Sequence, residues 1–518
     1  MVLMRVAITV AALILANCYT SGVAHAGNDG QTAEANQQRQ RNGGCRDSAA
    51  APIRLAIVGA GIGGSATAYY VRQELDKVLK GSGAAVDIHV YDQSDRVCGR
   101  LRSMVIGGQS FEVGAAVAHP KNQYISDLTY AVGLEKLPAA TGDFGLVLGP
   151  GQYVPLGDAT HSWSEDFFLL ERYGLDVVNL DLLLGYLFNE FTDIYRLQSQ
   201  DPPMSFTTLH DLLGAMRTNF TQLASQGFAD YLNASGIPER LVNELVSATA
   251  NAVYNQDGRV MTALSGMTAL ARSANDKYWS VLGGNERLCE RLLNTTQGVT
   301  LHLGTRVTRI SGANASSLSV TAVTDHGAEG TGVFDHVVLA MPLNASAMEL
   351  SGFAQALPPL NPGRGQTTTV TLVKGDANLT YFGLDAEGVT APWLFAMPAG
   401  NGLPVSVIEN TPPVDGMATA GKPVWKVQST EPLGAEFLDL AFPAREATVQ
   451  HTFDFAYPHF TAPDPLGPLQ LAPRLVYGGG IEWASSAMEM SAISARNSAL
   501  LVAKAVLDEI ENCRGDVP

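Results

Sequence analysis

The sequence predicts an α/β protein in which a parallel-sheet domain is interleaved with a helical insertion and a mixed β-sheet. Three observations lead there. Residues 53–75, IRLAIVGAGIGGSATAYYVRQEL, read as a buried strand, a glycine-rich turn and a helix of small residues, with VDIHVYDQ as the next strand of a βαβ unit. From about 165 to 265 apolar residues recur at helical spacing, as in EDFFLLERYGLDVVNLDLLLGYLFNEFTDIYRL. Strand-like patterns return at 299–310, at 335–340, in TTTVTLVKG and in KPVWKVQST, before a last helix at about 488–510.

The segments before this pattern read as targeting and leader sequence. Arg5, the apolar run Val6 to Leu15 and Ala24-His25-Ala26 ahead of Gly27 form a signal peptide over residues 1–26, too short in its apolar part for the roughly 20 residues of a spanning helix. Cleavage leaves no transmembrane anchor. Residues 27–50 are rich in Gln, Asn and Gly without a hydrophobic period, so they are expected to be a disordered leader. Asn-x-Ser/Thr sequons at Asn219, Asn233, Asn294, Asn314, Asn344 and Asn378 fit N-glycans added in the secretory pathway.

Composition bounds the function. An apolar share of 46% with 16% charged residues is that of a globular protein, and a net charge of −17 with no Lys/Arg run argues against a nucleic-acid partner. Cys45, Cys98, Cys289 and Cys513 are too scattered for a zinc site or a disulfide framework. They are expected to be isolated reduced thiols, although Cys45 and Cys513 could tie the chain ends. No metal site is expected, and no Ser/His/Asp spacing suggests hydrolysis.

The turn Gly59-Ala60-Gly61-Ile62-Gly63-Gly64 carries the first chemistry. Gly59 makes the tight exit from the strand, Gly61 lets backbone approach a pyrophosphate, and Gly64 lets helix and strand pack closely. The helix N-terminus then faces the phosphates, and Asp92, at the end of the second strand, is placed to accept ribose hydroxyls. The stretch after Asp92, DRVCGRLRSMVIGGQSFEVGAAVAHP, resembles the large family of FAD enzymes that includes amine oxidases and phytoene desaturases, with Cys98-Gly99-Arg100 where that family has Gly-Gly-Arg. Cys98 reads as a small, buried, inert residue. The resemblance implies a Rossmann-like FAD-binding domain in which Arg100 supplies charge for a phosphate, and the turn at Glu112 and Gly114 brings backbone against the flavin. By the same resemblance Val307 lies at the adenine end and Glu482 near the ribityl chain, while Met490 meets the ring or packs the core. No second glycine-rich turn for NAD(P)H occurs downstream.

Stretches unrelated to FAD narrow the resemblance. VTLVKG, PVWKVQSTEPL, AYPHF and GIEWASSAMEMSAISARNSALL, with others spread from about 53 to 501, are similar to the prenylcysteine oxidase family, also called prenylcysteine lyases. That resemblance implies an oxidase that cleaves farnesyl- or geranylgeranylcysteine to cysteine, a prenyl aldehyde and hydrogen peroxide, with molecular oxygen as acceptor, in a lysosome or vacuole or outside the cell. It also implies an apolar slot, which Leu182 to Leu184, Tyr186 to Phe188 and Phe191 are placed to line in part. His119 and Tyr254 are the candidate catalytic residues, with Asn255 a further polar candidate. An isolated histidine such as His119 is also readily explained as structural. An FAD-binding domain over 51–135, 275–345 and 466–513 and a substrate domain over 136–274 and 346–465 complete the expected organisation. An amine oxidase or desaturase on the same fold, and a flavin-retaining lipid carrier without turnover, remain the alternatives.

Overall fold

The structure is a computed structural model that describes residues 52–515 apart from short internal segments at 82, 140–143, 157–163, 217–219, 272–277, 315, 344–347, 361–362, 385–393 and 463–465. The signal peptide, the leader, Cys45 and the sequons at Asn219 and Asn344 lie outside the described residues, as does the Cys513 side chain. Among the described residues no helix is long and apolar enough to cross a membrane.

The strand Ile53–Val58 is apolar at Leu55, Ala56 and Ile57 on both faces, and all three are fully buried. That pattern suits a parallel sheet covered on both sides. It lies at the centre of a six-stranded sheet, flanked by Val86–Tyr91 and then Val299–His302 on one side, and by His336–Leu339, Leu475–Tyr477 and Gln470–Ala472 on the other. All neighbours are parallel except the last pair. The ends of the first and second strands converge on the glycine turn, because Gly59 N–H donates to the Tyr91 carbonyl at 2.7 Å.

The opening helix, Ile62–Val78, buries Gly64, Ala66 and Ala68, and the closing helix, Met488–Gly515, buries Ala492, Ala495 and Ala499. Small side chains let the two helices pack closely over one face of the sheet. Ser317–Thr324, flanked by Glu329–Phe334 and Thr305–Asn314, with Glu349–Ser351 at the edge, forms a smaller sheet over the other face, where Val58, Tyr91, Val307 and Phe334 share one core.

The second unit is a seven-stranded sheet in the order Ala447–Pro458, Gly365–Lys374, Val424–Ser429, Val407–Asn410, Leu394–Ala396, Phe144–Gly149 and Gln152–Pro155. One face packs Val373, Phe395, Ile408, Trp425 and Val427 against Phe437 and Phe442. On the opposite face Val370, Leu372 and Val424 meet Ile106 and Phe111 of the hairpin formed by Ser103–Ile106 and Gln109–Glu112, and Val113 just after it. The helical stretch between 164 and 270 packs its buried leucines into the main core. In its helix Asp176–Phe191, Leu180, Leu184 and Leu187 are buried at helical spacing. Leu182 and Tyr186 are instead 46% and 58% exposed, so the expectation that they line an internal slot is corrected; Leu183, Phe188 and Phe191 remain at the half-buried border.

The two cysteines inside the described fold are not isolated thiols. Cys98 and Cys289 form a disulfide, with Cα atoms 5.5 Å apart across a sequence separation of 191 residues. Scattered spacing hid this pair because the fold, not the chain, brings the two positions together.

Candidate active site

The glycines act as their positions require. Gly59 has φ +105°, a left-handed conformation that favours glycine, and a Cβ at Gly64 would stand 1.8 Å from the Gly59 carbonyl oxygen. A Cβ at Gly61, by contrast, would meet nothing within 4 Å. Gly61 therefore borders open space at the start of the opening helix, whose first turn holds no acidic residue and has no side-chain cap. Such an end presents unpaired N–H groups and the positive pole of the helix dipole, the requirements for a bound phosphate. Beside it a small recess, about the size of one water molecule, is lined by Gly63, Thr67, Ala340, Gly478, Glu482 and Ser491.

Asp92 accepts from the Ala60 N–H at 2.7 Å and from the Ser94 N–H at 2.9 Å, which fixes the carboxylate against the glycine turn. The following loop returns to the same turn, since Cys98 N–H donates to the Ala60 carbonyl at 2.8 Å and Cys98 pairs with Gly61. Two residues on, Arg100 is directed at Glu482, with Nη1 to Oε2 at 2.6 Å and Nη2 to Oε1 at 2.7 Å, and Nη1 also donates to the Ala456 carbonyl at 3.0 Å. Burial opposes the Arg100 charge, but Glu482 more than offsets it and holds the guanidinium above its ordinary value. Arg100 and Glu482, expected separately at a phosphate and at the ribityl chain, thus form one unit at the edge of the recess. A Cβ at Gly114 would lie 1.9 Å from the Arg100 carbonyl oxygen, so this glycine is demanded by packing against that loop.

Val307 and Met490 are 3% and 4% exposed. Val307 packs in the core between the parallel sheet and the smaller one, two residues after Thr305, whose N–H donates to the Asp92 carbonyl at 2.8 Å. Met490 packs in the main core.

Tyr254 and His119 are held differently. Tyr254 is 1% exposed, donates its hydroxyl to the Ser486 carbonyl at 2.8 Å, and packs edge-on against Tyr457 and Phe460. Burial pushes its hydroxyl well above the ordinary tyrosine value, so it stays protonated at physiological pH. Ser486 Oγ donates to Glu482 Oε2 at 3.1 Å, which links Tyr254 through one residue to the Arg100 pair. His119 lies outside this chain of bonds, half-buried between Phe188 and Tyr278, with Nδ1 accepting the Lys121 N–H at 3.0 Å. Asn255 ends its helix at φ +55°, a common place for asparagine, and donates to Thr368 Oγ1 at 3.4 Å.

Two buried carboxyls carry no local mark in the sequence that sets them apart as acids. Glu112 Oε1 accepts the Asn285 N–H at 2.5 Å, and Asn285 Nδ2 donates to the Ala115 and Ala116 carbonyls at 2.8 and 2.9 Å, fastening the run after Gly114 to the turn at Gly283. Burial raises Glu112 to about 8, against the opposing Asn285 N–H and Lys426. Glu489 accepts from the Tyr124 and Ile125 N–H groups at 2.8 and 2.9 Å and from the Tyr195 hydroxyl at 2.7 Å. Burial raises it to about 7, against those donors.

Both groups bind protons more readily folded than unfolded. Their contribution to stability is fully present below the usual value of 4.5, then lost as pH rises through about 7 and about 8. Each tenfold gain in proton affinity on folding is worth about 1.4 kcal/mol, so the chain is expected to be more stable at pH 5 than at pH 8 by a few kcal/mol. Thermal melts across that range check this, and Glu112→Gln should flatten the profile; a profile that rises with pH in the parent would refute it.

Open space at Gly61, an uncapped helix end and a carboxylate fixed against the turn fit a dinucleotide, and the Arg100–Glu482 pair lies at the edge of the adjoining recess. Fold and cradle together define an FAD-type oxidoreductase on a Rossmann-like scaffold. The chain belongs to the prenylcysteine lyase family, whose profile matches residues 156–514, while a profile for the NAD(P)-binding Rossmann-like domain matches residues 57–129. It is 30% identical to prenylcysteine oxidase 1 of Homo sapiens over 480 residues, covering 88% of this chain and 91% of that one. Prenylcysteine oxidase 1 of Mus musculus is 29% identical over 472 residues, covering 87% and 89%. In fold the chain is similar to cyclohexylamine oxidase from Brevibacterium oxydans IH-35A, with a TM-score of 0.56 and 16% identity over 89% of this chain and 100% of that one.

Proposed function

We propose that this chain is an FAD-dependent thioether oxidase that converts a prenylated cysteine, oxygen and water to free cysteine, a prenyl aldehyde and hydrogen peroxide. The observation that carries the reading is the extent of the family match. It begins at residue 156, beyond the glycine turn, and takes in the helical insertion and most of the seven-stranded sheet, so it does not rest on the dinucleotide turn.

The chemistry suits the substrate. The carbon between sulfur and the alkene yields a hydride readily because both neighbours stabilise the resulting cation; water then adds, and the hemithioacetal collapses to aldehyde and thiol. FAD, when bound, would supply the two-electron acceptor, with oxygen as the final oxidant. The protein binds and orients. In this reading Gly59, Gly61, Gly63, Gly64 and Asp92 hold the dinucleotide end, with Val307 beside the adenine. Arg100, Glu482, Gly114 and the start of the closing helix near Met490 surround the rest. Tyr254, protonated and anchored on Ser486, acts as a positioning group in a site shielded from solvent. His119, against Phe188 of the insertion, is assigned to the mouth of the apolar slot, where the amino-acid head of the substrate enters.

We also read the first 26 residues as the signal that takes the chain into the secretory pathway, with lysosome or vacuole as its destination. Exposed sequons at Asn233, Asn294 and Asn314 and the Cys98–Cys289 bond suit passage through an oxidising compartment. Asn378 is a poor glycan acceptor, because its side chain donates to the Leu440 carbonyl and accepts from the Tyr381 N–H.

Incubation of the purified mature chain with farnesylcysteine in air is expected to release cysteine, aldehyde and peroxide in equal amounts. Peroxide without aldehyde, or a farnesyl thiol as product, would contradict the proposed bond cleavage.

A further inference from the structure

We propose that the Cys98–Cys289 bond is a redox-controlled fastener of the cofactor cradle, so that the oxidation state of this pair sets how tightly FAD is retained. The inference rests on the cofactor and not on the proposed substrate.

Among the described residues only Cys98 and Asn255 are non-glycine residues with a left-handed backbone, and Cys98 has φ +79°. The position favours glycine, yet it holds a cysteine whose side chain is bonded to a distant helix. Its backbone forms the edge of the cradle: the N–H donates to Ala60, the residue pairs with Gly61, and its carbonyl accepts the Leu101 N–H at 3.0 Å. Its sulfur runs the other way, to Cys289 in Glu286–Thr295, a helix that packs against the opening helix. Cys98 and Cys289 are 1% and 0% exposed. The bond thus joins the loop carrying Arg100 covalently to the body of the domain, where the other ties are weaker: Arg96 donates to the loop's own carbonyls at Val97, Gly99 and Leu101, and reaches the helix only through a 4.0 Å ion pair with Glu286, which also accepts the Ser103 N–H at 3.4 Å.

A dithiol would give two electrons and two protons to the pair. The S–S bond breaks, Cys98 and Cys289 become thiols, and the reductant closes to its own disulfide. Without the bond nothing covalent holds Cys98 in its left-handed conformation, and the loop relaxes away from Gly61. A left-handed penalty at one residue corresponds to about a tenfold change in an equilibrium, so FAD should bind roughly tenfold more weakly to the reduced chain. Linkage makes the effect reciprocal: FAD should lower the midpoint potential of the pair by about 30 mV.

The test uses holoprotein purified without reductant and reads thiols by titration and released flavin by fluorescence after desalting. Dithiothreitol is expected to expose two more thiols and weaken FAD retention about tenfold, with the bond in apoprotein opening at a potential about 30 mV higher than in holoprotein. Cys289→Ser should retain FAD weakly whether or not reductant is present, and Cys98→Gly should retain it equally in both conditions. If Cys289→Ser does not fold, Cys98→Gly and the thiol titration decide. Two thiols already present before reduction, unchanged FAD retention after the bond opens, or a bond that stays closed to dithiothreitol even in apoprotein would overturn the proposal.

Discussion

Gly61→Val is expected to fold normally and come out colourless. Gly61 is the N-terminal cap of the opening helix, at φ −69° and ψ −175°, a conformation open to any residue, and its added Cβ meets nothing within 4 Å. The side chain instead fills the space that a pyrophosphate needs beside the helix end. FAD affinity should fall by at least a hundredfold, while the apoprotein melts within a few degrees of the parent apoprotein. Gly64→Ala makes the opposite case. Its Cβ would meet a backbone oxygen at 1.8 Å, so strand and helix must separate and the chain should lose stability with or without FAD. Flavin absorbance together with apoprotein melts separates the two; an intact flavin spectrum in Gly61→Val would show that the open space beside the turn is not the phosphate site.

Arg100→Ala should be nearly as damaging, through charge. Glu482 has a side chain only 4% exposed, and with Arg100 removed it keeps the Ser486 hydroxyl but loses its counter-charge. Leaving one member of a buried ion pair alone costs about 3–5 kcal/mol, and the one-third exposure of the Arg100 side chain moves the expectation to the lower end. The double variant Arg100→Met with Glu482→Gln should recover much of that stability but not FAD binding. Urea unfolding of the apoproteins, set beside flavin retention, checks this. Recovery of both properties in the double variant would remove the pair from the cofactor site.

The parts of this fold legible in the sequence are those set by local rules. The glycine turn shows because backbone geometry excludes side chains at Gly59 and Gly64, and the helical insertion shows through the spacing of residues such as Leu180, Leu184 and Leu187. The features that escape a reading of the sequence depend on contacts across the chain. Leu182 and Tyr186 are apolar but point outward, which composition does not reveal. Cys98 and Cys289 become partners only when the cofactor loop folds against a helix 191 residues away. Glu489 caps the helix Gln123–Ala131 from 365 and 364 residues away, and nothing beside it in sequence marks that role. Arg100 and Glu482 are each singled out in the sequence by the family resemblance, but their direct pairing emerges only when the closing segment folds back on the first loop.

The measurement that most directly tests the central claim is anaerobic titration of the flavin absorbance with farnesylcysteine. The yellow holoprotein should bleach with one equivalent of substrate per flavin and recover its spectrum when air is admitted. A flavin that stays oxidised with farnesylcysteine yet is reduced by a polyamine would contradict thioether oxidation and place the chain's chemistry with the amine oxidases whose fold it shares.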